Sequence, residues 1–191
     1  LDESQIISMT NLAMPNNLDP PAYRWRVGCR RIHYARTSDL SPLVTDARKQ
    51  TLSQEMSLDM PALDTLHTEC TDLIAAVLDA TDDALLALWD RLIAHTAEHF
   101  AQEDRWMQAT GFAPNNCHSS QHATVLQIMR EGAEKGAEGN LGIVRQMAHE
   151  LTVWLPHHID AMDAGLAQHL NEVGYDTVTG HISKPEMLPQ N

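Results

Sequence analysis

Residues 82–107 read DDALLALWDRLIAHTAEHFAQEDRWM, and this stretch decides the fold. Leu85, Leu88, Trp89, Leu92, Ile93 and Thr96 recur at intervals of three and four, the spacing of one face of an α-helix. Thr81 or Asp82 supplies an N-cap residue. The pattern runs to residues 107–110 and stops near Gly111. Where that face continues, it turns polar. His99 and Glu103 are four residues apart, so they share a side of the helix.

Outward from this helix the same period returns. Upstream, Leu63, Leu66, Cys70, Leu73, Ile74, Val77 and Leu78 mark one helical face, with Pro61 near its start, where a missing N–H is harmless. Downstream, residues 111–116 form a turn in which Asn115 or Asn116 caps a third helix through His118, His122, Val125, Leu126 and Met129. That helix is expected to fade across Gly132 to Gly142, a stretch holding four glycines. A fourth helix carries Ile143, Val144, Met147, Leu151, Trp154, Leu155, Ile159, Met162, Leu166 and Leu170, and Gly174 ends it. Four amphipathic helices with short loops predict an all-α protein, an antiparallel four-helix bundle over residues 56–173. Residues 1–55 read as a partly irregular N-terminal extension, and residues 174–191 as a polar C-terminal tail.

Composition narrows the function. The formal net charge is −13 over 191 residues, which disfavours nucleic acid and anionic membranes as partners. The charge is uneven: residues 1–55 carry seven basic and six acidic side chains, whereas the remainder is strongly acidic. The segment Tyr23-Arg24-Trp25-Arg26-Val27-Gly28-Cys29-Arg30-Arg31 is basic and aromatic, and no catalytic pattern is visible in it. No run of apolar residues is long enough to span a membrane. The first twenty residues lack the basic start and apolar centre of a signal peptide, and the expected compartment is cytoplasmic. The three cysteines form no CxxC pair, which argues against a zinc ribbon or a dithiol redox site. Cys70 and Cys117 are expected to be small packing residues.

Eleven histidines are many for a chain of this size. A bundle core should be dry, so histidine and carboxylate at core positions need an explanation. His67 falls in the register of the first helix, His99 and Glu103 in the second, and His118 and His122 in the third. His158 and Asp163 lie on the fourth; five residues are about 500° of an α-helix, about 140° past a full turn, so that pair is poorly aligned. His158 is preferred to His157 because it lies five residues before Asp163 and precedes apolar Ile159. His95 has no carboxylate at ligand spacing and is read as a neighbour of the site or a surface residue; Asp104 and Asp160 are read as solvated. Five imidazoles and two carboxylates exceed the four ligands of a structural zinc and suit two metals. The imidazole-rich, thiolate-free set fits iron better than calcium or magnesium, although ligand identity does not exclude copper or zinc.

Over residues 52–171 the chain resembles the hemerythrins, specifically the bacterial hemerythrin-like proteins. The resemblance rests on Asp64-Thr65-Leu66-His67, on His99-Phe100-Ala101-Gln102-Glu103 followed by Met107, on His118-Ser119-Ser120-Gln121-His122, and on Trp154-Leu155 followed by His158-Ile159 and Asp163. It implies that His118, His122 and His158 hold one iron, and His67 and His99 the other. Glu103 and Asp163 would bridge the two non-haem irons, with an oxo or hydroxo group as the third bridge. Dioxygen would bind at the open position of the iron with two histidines. On register, Trp89, Phe100, Trp106, Leu126, Trp154, Leu155 and Ile159 are expected to line an apolar pocket.

Three features depart from the family pattern, of which one, Gly111-Phe112-Ala113-Pro114 before His118 in place of an aromatic immediately before proline, is expected to have little consequence. Pro156, two residues before His158, deletes a helical hydrogen bond and should kink the fourth helix. The 55-residue extension is not part of the ordinary family domain. Three functions are compatible with the ligand set: reversible dioxygen binding for storage, delivery or sensing; a di-iron oxidase, peroxidase or nitric-oxide-handling enzyme; and an interaction module with a structural metal and a protein partner on residues 1–55. No Glu has His three residues on, which argues against oxidase chemistry of the ferritin-like class. Oxygen binding is the preferred reading, and an enzyme the less favoured one.

Overall fold

The computed structural model describes residues 24–27, 30–33, 57–112 and 117–189. Four helices form the bundle: α1 (Pro61–Leu78), α2 (Asp82–Thr110), α3 (Cys117–Ala137) and α4 (Leu141–His158). A π-helical turn (Ile159–Asp163) and α5 (Ala164–Val173) continue the column begun by α4. α1 packs on α2, α2 on α3, α3 on α4, and α4 back on α1, so the ring of helices is closed. Among the described residues, no helix is long and apolar enough to cross a membrane.

The helix ends follow local chemistry. Pro61 opens α1, and the Asp64 carboxylate reaches back to accept from the Leu58 N–H at 2.8 Å and the Ser57 hydroxyl at 2.8 Å. Thr81 is the N-cap of α2 but makes no side-chain cap bond. Asp82 instead pairs with Arg145 of α4 at 2.6 Å. Gly111 ends α2 at φ 66°, where a Cβ would be strained, and Phe112 N–H closes the turn on Met107 O at 2.9 Å. The Asn140 side chain caps α4 by accepting from Ile143 N–H at 3.3 Å. Asn115 and Asn116, the expected caps of α3, lie outside the described residues.

The third helix does not fade at its glycines. α3 runs through Gly132 and Gly136, and both are buried. A Cβ on Gly132 would collide with Met147 Sδ, and one on Gly136 would sit 2.6 Å from Leu86 Cδ2 and 2.9 Å from Val144 Cγ2. The missing side chains let α3 approach its neighbours closely, which offsets the helix-propensity cost of about 1 kcal/mol per glycine.

The tail is not a bare extension either. Tyr175 pairs with Ile182 in an antiparallel bridge, Lys184 N–H returns to Val173 O at 3.0 Å, and a 3₁₀ turn follows (Pro185–Met187). In the N-terminal extension, two short strands pair antiparallel: β1 (Arg24–Val27) and β2 (Arg30–His33), with Trp25 opposite Ile32. The basic and aromatic segment noted in the sequence thus holds β1 and the first two residues of β2.

The core is divided in two. A larger cluster holds Cys70, Ile74, Val77, Leu85, Trp89, Leu92, Phe100, Val125, Met129, Leu151, Trp154, Leu155 and Ile159, among others. A smaller one holds Met60, Leu63, Trp106, Met107, Leu166, Ala167 and Leu170. His67 lies in sequence between Leu63 and Cys70, and Asp163 between Ile159 and Leu166, so the polar layer separates the two clusters along the bundle.

Candidate metal centre

Each helix brings its polar residues to this layer from the face that its apolar residues define. α1 supplies His67, α2 His99 and Glu103, and α3 His118 and His122; the end of α4 and the π turn supply His158 and Asp163. All seven are buried, and Glu103 and Asp163 are 0 % exposed. The structure therefore brings together every candidate ligand read from the sequence.

The π turn explains how the poorly aligned pair meets. Ala164 N–H bonds to Ile159 O, five residues back, so the turn is wider than an α turn. His158 Nε2 and Asp163 Oδ1 are 3.2 Å apart. The backbone is helical through Pro156, and the irregular turn begins three residues after it.

The two carboxylates split their oxygens. Glu103 Oε1 faces His99 Nε2 at 2.6 Å, and its Oε2 faces His118 Nε2 at 3.0 Å and His122 Nε2 at 3.5 Å. Asp163 Oδ2 faces His67 Nε2 at 3.1 Å, and its Oδ1 faces His118 Nε2 at 2.9 Å and His158 Nε2 at 3.2 Å. One oxygen of each thus points to a group of three histidines and the other to a group of two. Ligand atoms of Glu103, His118, His122, His158 and Asp163 lie within 4.8 Å of one another, as do those of His67, His99 and Glu103.

His67 Nε2 and Asp163 Oδ2 are within hydrogen-bond geometry, whereas most of the other contacts are close without it. Both oxygens of Glu103, Asp163 Oδ1, and both ring nitrogens of His99 and of His118 are buried with no partner in hydrogen-bond geometry. So are Nδ1 of His67 and Nδ1 of His122. Unsatisfied buried polar atoms cost about 1–3 kcal/mol each, so a cluster of them needs another source of stability. A cation between them would supply it. Two ligands about 2.1 Å from one metal and at right angles lie about 3.0 Å apart, and most of the separations here are near that value. The donor set, imidazole with carboxylate, is that of a transition-metal site.

Electrostatics agree. Two carboxylates without countercharge would not survive burial. Without metal, the rings carry that countercharge. Burial works against the charged form of His99, but Cys70 and Glu103 beside it hold its pKa up at about 10. His118 is likewise opposed by burial and raised to about 9 by Asp163 and Glu103. His122 goes the other way, down to about 2, because of burial and the neighbouring His118 and His158 rings. Asp163 stays ionised, well below the usual carboxylate range: His158, His118 and His67 outweigh the burial that would raise it.

Aromatic rings pack on the histidines. Phe100 stacks on His122 with centroids 3.9 Å apart and planes at 6°, and Trp154 stacks on His158 at 4.5 Å and 21°. Of the other residues expected at a pocket, Leu155 and Ile159 are buried in the larger cluster, and Leu126 packs against it part-buried. Trp89 belongs to that cluster as well, its indole N–H donating to Met129 O at 3.0 Å. Trp106 belongs to the smaller cluster.

Residue-type spacing missed the partners behind the rings. Asp104, read as solvated, is 46 % exposed but places Oδ1 3.5 Å from His122 Nδ1 and accepts from the Ser119 hydroxyl at 2.7 Å. Gln121 Oε1 is 3.3 Å from His158 Nδ1. His95 lies beside His99, with Nε2 3.2 Å from Leu66 O and Nδ1 3.7 Å from the Glu69 carboxylate. Cys117, expected to be packed, is exposed.

The family model of the hemerythrin HHE cation-binding domain matches residues 59–170. The chain belongs to the hemerythrin family. A bacteriohemerythrin of Ralstonia nicotianae is 36 % identical over 124 residues, which cover 65 % of this chain and 90 % of that one. No solved structure matches with significance. The match spans the whole hemerythrin bundle described above and leaves out residues 1–58, the hairpin included.

Proposed function

We propose that this protein is a non-haem di-iron protein that binds dioxygen reversibly. His118, His122 and His158 would hold one iron, His67 and His99 the other, and Glu103 and Asp163 would bridge them. The observation that carries this reading is the split of both carboxylates, each with one oxygen toward the three-histidine group and one toward the two-histidine group. The unequal histidine count leaves the second metal one protein ligand short of the first, and an exogenous ligand would enter there. Family membership and the similarity to a bacteriohemerythrin support the same assignment.

When bound, two ferrous ions supply the two electrons that dioxygen takes up on binding. The chain's own residues would do the rest. Neutral imidazoles and the two carboxylates would offset the metal charge, and each carboxylate would be held through both its oxygens. Phe100 and Trp154 cover the His122 and His158 rings, keeping water from the three-histidine side.

Anaerobic loading with ferrous iron, followed by admission and removal of oxygen, tests the proposal. The expected result is near two irons per chain and an optical charge-transfer band that appears with oxygen and fades when oxygen is withdrawn. Steady consumption of a reductant would favour an enzyme instead. Well under two irons per chain would overturn the assignment.

A further inference from the structure

A side-chain oxygen lies behind two of the five rings: Gln121 Oε1 is 3.3 Å from His158 Nδ1 in hydrogen-bond geometry, and Asp104 Oδ1 approaches His122 Nδ1 at 3.5 Å without that geometry. Behind His99 there is a different atom. The Nε2 of His99 is directed at Glu103, which leaves Nδ1 as the ring N–H, and that atom is buried with no partner in hydrogen-bond geometry. A sulfur lies close to this ring. Cys70, on α1 and 5 % exposed, places Sγ within 4.8 Å of ring nitrogens of His95 and His99. The His95 nitrogens already face Leu66 O and Glu69. Cys70 also lies three residues after His67, one helical turn along the same face.

We infer that Cys70 is a positioning residue for His99: its sulfur accepts the Nδ1–H of that ring and so aims Nε2 at the two-histidine metal position. This rests on the two-metal reading above. α1 then serves that half of the site twice, through a ligand at His67 and a brace at Cys70. A ligating histidine nearly always donates its other N–H, and the acceptor fixes the ring's orientation and tautomer. Sulfur is a weak acceptor, so this brace is softer than a carboxylate or amide oxygen. The two-histidine metal, already short of one ligand, is the more loosely held of the pair.

Cobalt(II) titration of the full chain tests this, followed by metal count and by the visible d–d bands of the ion. Wild type is expected to bind two equivalents. Cys70→Ala should bind the first as wild type does and the second about tenfold or more weakly, with altered d–d bands. Cys70→Ser, which restores an acceptor, should recover most of the loss. Equal binding by wild type and Cys70→Ala would overturn the inference. So would a Cys70→Ser protein as defective as Cys70→Ala, which would mean that only packing was lost. A sulfur-to-cobalt charge-transfer band in wild type would also overturn it, by making Cys70 a ligand. Fewer than two equivalents in wild type would instead bring down the two-metal reading, and the inference with it.

Discussion

Asp163 reaches into the group formed by His118, His122 and His158 although it stands five residues after His158, and the two side chains meet at 3.2 Å. In an unbroken α-helix they would diverge. The π turn at Ile159–Asp163 absorbs the difference and then hands the chain to α5, whose Leu166 and Leu170 return to the core. A single widened turn thus serves two demands: it aims a carboxylate into the polar layer and keeps the following apolar residues in register.

Glu103→Gln keeps the side-chain shape and removes the charge that both halves of the site share. Metal bound after gel filtration should fall from two ions per chain to one or none. Retention of two ions would show that Glu103 does not join them.

The metal-free protein should have a stability optimum near pH 6.5. His99 and His118 have folded pKa values raised to about 10 and about 9 from an ordinary 6.5. Their contribution is fully present below pH 6.5 and is lost as pH rises through 9 and 10, because the native state then binds more protons than the unfolded one. His122, lowered to about 2, acts in the opposite sense and costs stability as pH falls below 6.5. Denaturant titrations from pH 5 to 10 on the metal-free chain check this. Metal uptake at pH 7.5 should release about two protons, those of His99 and His118, and a pH-indicator titration during loading measures them.

Phe100→Ala removes a fully packed ring from the face of His122. The expected loss is about 3–5 kcal/mol of stability. If the proposed iron is bound, its oxidation to the ferric state should also be faster, since the ring's place becomes open to water. A stability change under 1 kcal/mol by denaturant unfolding would show that the stacking contributes little.

Glycines in similar sequence contexts should respond oppositely. Gly132→Ala meets Met147 and should destabilise by about 1–3 kcal/mol. Gly142→Ala lies in the first turn of α4 with only Asn140 Oδ1 near, at 3.6 Å, and should stabilise by about 0.5–1 kcal/mol. Thermal unfolding of the two variants side by side decides it.

The contrast shows what the sequence makes legible. His99 with Glu103 and His118 with His122 announce themselves because the α-helical period alone puts each pair on one face. The π turn leaves no such trace: it is a shift in backbone bonding, and Pro156 before it drew attention to a kink instead. Gly132 and Gly136 read as helix breakers because their value lies in Met147, Leu86 and Val144 on other helices. Asp104 and Gln121 sit beside ligands in the chain, but their role depends on which way an imidazole's second nitrogen faces. No periodicity encodes that direction.

The contact between His67 and Asp163 closes a loop of 96 residues. The entropy of closing such a loop must be met before the contact contributes anything. On the two-metal reading proposed above, the first and last helices of the bundle would each supply a ligand, so no chain lacking either end of residues 67–163 could assemble the full set. Tight capture of both ions would therefore be a late event, a readout that topology has been completed. A ribosome-bound chain would pass through a long interval with its histidines exposed and unable to hold two metals together. Such a centre would act as a clasp between the two ends of the bundle, fastened only after the helices have found their order.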